Sequence, residues 1–97
     1  MEKWISIKDR LPDKDGIYLV TYRSVIADIR FIRIYCYSNN LSKVDKYDFP
    51  RSKYNRAGWY DYDSEYGHWE VTNVIAWMEL PEEYKYKGEQ YGQKRIR

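Results

Sequence analysis

Residues 17–23 read IYLVTYR, and residues 28–37 read DIRFIRIYCY. Both runs are dense in β-branched and aromatic side chains and free of Gly and Pro, which marks them as strands. A strand turns successive side chains to opposite faces. Tyr18, Val20 and Tyr22 therefore share one face, and Ile17, Leu19 and Thr21 the other. In the second run Asp28 and Arg30 alternate with Ile29 and Phe31; from Phe31 onward both faces are mostly apolar, Arg33 excepted. That pattern suits a central strand, covered on one side and partly covered on the other. Residues 24–27 supply the turn between the two.

Working outward, residues 58–63, GWYDYD, read as a third strand, with Trp59, Asp61 and Asp63 on one face and Tyr60 and Tyr62 on the other. Residues 68–79, HWEVTNVIAWME, read as a fourth, with Trp69, Val71, Ile75 and Trp77 on one parity and Asn73 interrupting as a bulge. Residues 38–57 bring turn formers, mixed charge and Pro50 with little periodicity. They read as a long loop of the kind that often carries function, with room for a short helix there or at 81–87. Residues 4–16, WISIKDRLPDKDG, form an extended lead-in pinned by Trp4, Ile5 and Ile7, followed by turn chemistry; Pro12 biases Leu11 away from helix. Residues 84–97 hold two glycines and five cations against Glu89 alone, a basic and flexible tail. The sum is one mostly β domain over residues 1–83 (or a small α+β domain): a single antiparallel four-stranded meander with one long loop.

Composition narrows the function classes. The 97 residues suffice for one domain, and 4 Trp, 12 Tyr and 2 Phe furnish the core of a thin fold. The same aromatics also suit a binding face. The net charge of +2 is too small to imply nucleic-acid binding by itself. Cys36, the only cysteine, points to a reducing compartment, and no apolar stretch of signal-peptide or membrane-spanning length is present. The expected location is the cytoplasm, with no membrane partner.

No catalytic constellation is visible, so the expectation is a non-enzyme without cofactor. His68, the only histidine, is expected to face solvent at a strand start, and Cys36 reads as a small core residue. One His and one Cys cannot make a usual zinc set. Asp61, Asp63 and Glu65 resemble the start of a calcium loop, but Tyr66 and Thr72 stand where Gly and Glu belong, so no metal is expected. Asp61 and Asp63 as paired carboxylates match any polar strand face. The candidate binding residues are Tyr47, Phe49, Arg51, Lys53, Tyr54 and Arg56 of the long loop with Trp59, Tyr60 and Tyr62 of the third strand. The aromatic–cationic interleaving would serve a protein partner or, alternatively, single-stranded nucleic acid read by stacking and charge.

WISIKDRLP at residues 4–12, then Gly16 and YLV at 18–20, resemble the opening signature of a small family catalogued as domain of unknown function 551, common in phage and prophage genomes. The close, WMELP at residues 77–81, resembles the family's Trp-Met-Pro-Leu-Pro. Two departures stand out: Ala76 where members commonly have His, and Glu79 where they commonly have Pro. The resemblance implies no reaction. It implies a phage or mobile-element setting, in which accessory proteins often bind host proteins. The expectation is a non-catalytic phage or prophage accessory domain that binds a host or phage protein, possible inhibition of host defence included. Trp4 and Trp77 are expected to pack together.

Overall fold

The computed structural model describes residues 3–82. Among these residues six strands form one antiparallel sheet: β1 (Ile5–Ser6), β2 (Gly16–Arg23), β3 (Arg30–Ser38), β4 (Gly58–Asp63), β5 (Gly67–Val71) and β6 (Val74–Met78), in the order β1-β6-β2-β3-β4-β5. The domain is mostly β, as its residue patterns imply. Six strands replace the expected four, and the order is not a simple meander. The short lead-in is itself a strand, with Ile5 opposite Trp77. The expected fourth strand is two strands, because Asn73 takes φ 67, a left-handed conformation that ends a ladder. The basic tail at 84–97 lies outside the described residues.

Only Thr72 and Asn73 separate β5 from β6. In a flat sheet these strands would stand four lateral steps apart, roughly 19 Å. The chain from Val71 to Val74 reaches about 11 Å at most. The sheet must therefore coil around one face, and that face is the core. Tyr18, Val20, Tyr37, Trp59, Val74 and Trp77 are buried there, with Ile5, Ile7, Tyr22 and Tyr35 packed against them. Tyr18 meets Trp59 and Trp77 edge-on, at ring separations of 6.1 and 5.2 Å.

Residues 38–57 are more than a loop. They hold a 3₁₀ turn, Leu41–Lys43, and a single helical turn, α1 (Arg51–Tyr54). Asn40 caps the first by accepting from the Ser42 N–H. Leu41 and Phe49 are almost fully buried and fasten this cover to the outer sheet face over β4 and β5. Two sparse anchors, Leu41 three residues past the buried Ser38 and Phe49 eight past Leu41, leave no periodicity to read in sequence.

Candidate functional site

The two framing segments do meet, but through Arg10 and not Trp4. The buried Trp77 indole donates from Nε1 to the Arg10 carbonyl at 3.0 Å, and the Arg10 guanidinium lies 5.1 Å over its ring. Tyr18 donates from its hydroxyl to the Lys14 carbonyl at 2.7 Å. Trp4 is 39% exposed; Ile5 takes the place opposite Trp77. Beside this knot runs a cleft of about 410 Å³ bordered by Arg10, Asp13, Lys14, Asp15 and Glu79, charges of both signs with no convergent set. The departure at Glu79 thus lies on the cleft rim, and Ala76, paired with Ser6 and Thr21, lies on the outer face.

The cover is clamped to β5 by charge. Asp45 Oδ1 accepts from the N–H groups of Tyr47 and Asp48 and closes a turn. Asp48 Oδ2 then accepts from the His68 backbone N–H at 3.0 Å and contacts its ring Nδ1 at 2.9 Å; Asp45 Oδ2 is 3.7 Å from the same nitrogen. These bonds favour the ionised carboxyl, so Asp48 titrates below its ordinary value, the His68 backbone bond being the first cause. His68 is therefore turned under the cover instead of facing solvent, against Phe49, Tyr60 and Tyr62. One donor atom from each of Asp45, Asp48 and His68 falls within 4.8 Å of the others, a set that divalent cations also use. The hydrogen bonds account for this geometry. Gly67, at φ 85, lets the backbone approach closely: a Cβ there would stand 2.8 Å from Asp48 Oδ2.

The structure divides the candidate binding residues. Phe49 and Trp59 are buried at 1% and 6% exposure, so neither offers a binding surface; each supplies apolar packing where the sequence suggested an exposed platform. Tyr54 and Tyr60 pack on Phe49, half-buried. Arg56 is held by Glu70 in a two-pronged pair at 2.8 and 2.9 Å. Arg51, Lys53, Tyr47 and Tyr62 are exposed. Arg51 joins Lys43, Lys46, Asn40, Ser42 and Asn55 around a cavity of about 280 Å³ with no carboxylate in its lining.

Catalytic arrangements do not emerge among the described residues. Burial pushes the Cys36 thiol above its ordinary value, opposite to the activation a nucleophile needs, although a Tyr60 hydrogen bond partly offsets this. Asp63 Oδ1 is used by the Glu65 and Tyr66 N–H groups, and Asp61 Oδ1 by that of Tyr62.

The largest anomaly lies on the outer face, where the cover stops. Ile17, Ile32 and Ile34 are 55–57% exposed, side by side on the central strands: Ile34 is opposite Leu19, Ile32 opposite Thr21, and Cys36 opposite Ile17. Beyond them the hairpin tip exposes Val25 and Ile26. Among the described residues β3 also has a half-free edge, since its ladder to β4 holds only Cys36, Tyr37 and Ser38. The sequence shows that both faces of this strand are apolar. It does not show that one of them would be left uncovered.

No helix among the described residues is long and apolar enough to cross a membrane. Comparison with curated proteins yields no match, and comparison with solved structures yields none. A family model, described as protein of unknown function DUF551, matches residues 3–83, which span both framing segments, the sheet and the cover. The chain belongs to that family.

Proposed function

We propose that this chain is a non-catalytic accessory domain of phage or prophage origin that binds another protein through the outer half of the β2–β3 hairpin. The observation that carries the reading is the row Ile17, Ile32 and Ile34, exposed on the central strands. Single exposed apolar side chains need no explanation, but a contiguous row on a sheet face marks an interaction surface. The half-free β3 edge adds main-chain donors and acceptors of the sort that strand addition uses. The phage setting is supported by the family resemblance, and the binding role by the surface. Inhibition of a host defence protein is one form such binding takes.

The test compares the wild-type chain with Ile34→Asp, a change at an exposed position that leaves the core intact. The expected result is a host or phage protein that purified wild-type binds stoichiometrically and the variant does not. Equal binding by both, or no partner for the wild type, would sink the proposal.

A second reading has one observation in its favour. The cavity lined by Lys43, Lys46 and Arg51 suits phosphate oxygens, and the exposed Tyr47 ring beside it suits a stacked base. It predicts binding to single strands that weakens steeply with salt and is lost in the triple alanine variant of these cations. Binding without salt dependence, or unchanged in that variant, would remove it.

A further inference from the structure

We infer that the free edge of β3 is built to pair with the same edge of a second copy of this chain, antiparallel, about a twofold axis beside Ile32. This rests on reading the outer hairpin as a binding surface, and it assigns the backbone edge to a second copy, which leaves the joined isoleucine row for the protein partner.

Backbone direction comes first. At the hairpin end Ser24 N–H donates to the Ile29 carbonyl at 2.8 Å, and the β2–β3 register continues from that pair without a slip. Bonding pairs alternate along an antiparallel ladder, so Phe31, Arg33 and Tyr35 direct their backbone groups toward β2. Arg30, Ile32 and Ile34 therefore direct theirs the other way, as Cys36 and Ser38 do. Cys36 and Ser38 meet Tyr60 and Gly58 of β4; the ladder reaches none of the other three. The Ile32 carbonyl accepts from the Arg33 guanidinium at 3.0 Å, which leaves its second lone pair free. A row of unpaired donors and acceptors next to exposed isoleucines is the template that sheets complete with another strand.

Side chains then select the occupant. Opposite residues in an antiparallel pair project to the same face, which restricts the self-pairings this edge can make. With Ile32 facing Ile32 of the second copy, each Arg30 lies beside an Ile34 across the seam. Each Phe31 then faces an Arg33, repeating between copies the contact that these residues make within one chain, where the guanidinium sits 5.0 Å over the ring. Sliding by one rung toward β4 sets Arg33 directly against Arg33, which is disfavoured, and sliding the other way runs the pairing past Arg30, where β3 begins, and shortens the ladder. The Ile32 register is thus the one that joins the most free rungs without a like-charge clash. The three isoleucines are each more than half exposed, a contiguous apolar patch of the kind that marks an interaction site. Joining the edges brings the Ile32–Ile34 stripes of both copies into one continuous row. The contact is smaller than an obligate interface, so the expected dimer is micromolar and reversible.

Sedimentation velocity of the full chain, from micromolar to near-millimolar concentration, reads the equilibrium. Ile32→Lys and Ile32→Glu each place like charges across the axis and should weaken self-association roughly a hundredfold. An equimolar mixture of the two should return to within about tenfold of wild type, because only residue 32 facing residue 32 lets Lys meet Glu. Amide exchange in the wild type gives an independent reading: Ile32 and Ile34 should gain protection as concentration rises. A wild type that stays monomeric would overturn the inference, as would variants whose mixture fails to reassociate, or an outer face covered within one chain by residues 83–97. A monomer whose hetero-partner is still lost with Ile34→Asp would overturn the second copy alone and leave the protein-binding reading standing.

Discussion

Replacing Trp77 by Phe tests whether the joint between the framing segments organises the domain. The substitution removes the indole N–H that satisfies the Arg10 carbonyl and the ring that fills the space under Tyr18, in a side chain only 2% exposed. The lost hydrogen bond costs about 0.5–1.5 kcal/mol. A full truncation of a buried Trp costs about 3–5 kcal/mol, so shrinking it to Phe adds roughly 1–2. The expected loss is about 2–3 kcal/mol, out of the roughly 5–15 kcal/mol typical of a chain this long. That corresponds to a fall in melting temperature of about 10–20 °C, read by far-UV circular dichroism with urea titration as a check. Trp4→Phe is the internal control: its side chain is 39% exposed and lies outside the core cluster, so its cost should stay within about 0.5 kcal/mol. Equal and small losses for the two variants would refute the argument that Trp77, through Arg10, joins the lead-in to the last strand.

Phe49→Ala should destabilise by about 3–5 kcal/mol, and amide exchange should show residues 40–56 opening before the sheet, because Phe49 and Leu41 are the cover's buried anchors. Gly67→Ala combines positive φ with a close approach to Asp48 and should cost about 1–3 kcal/mol in chemical denaturation; a neutral result would show that the Asp48 clamp can shift freely. The folded-state value of Asp48 lies below the ordinary 3.8, so the stabilisation it gives is fully present above that value and fades as pH falls through the lower, folded one. Asp48→Asn should therefore melt below wild type at neutral pH, with the gap closing under acid; a pH-independent gap would contradict the assignment.

The elements differ in how much of them the sequence reveals. In 17–23 and 58–63 alternation alone shows which residues share a face, because period two follows from backbone geometry without reference to neighbours; that the face of Tyr18, Val20 and Trp59 is the buried one comes from the structure. The break at Asn73 is legible as an interruption, but its consequence is not. Its positive φ turns one expected strand into two that serve opposite ends of the sheet, and this depends on how far the sheet coils. The clamp of Asp45, Asp48 and His68 joins residues about twenty positions apart, and no local pattern predicts that separation. Phe49 misleads in the other direction: surrounded by charge in sequence, it looks like an exposed platform, yet it is the larger of the cover's two buried anchors.

By itself, then, the sequence determines a mostly β domain, its central hairpin, which residues of each strand share a face, and its family through the segments at 4–12 and 77–81. These follow from local stereochemistry and short motifs. Tertiary structure alone decides that, among the described residues, the outer face over β4 and β5 is covered while Ile17, Ile32 and Ile34 stay exposed and β3 keeps half an edge free. An isoleucine on a strand reads the same whether a cover reaches it or stops short. Its exposure is set by where Leu41 and Phe49 dock, which is a property of the assembled sheet.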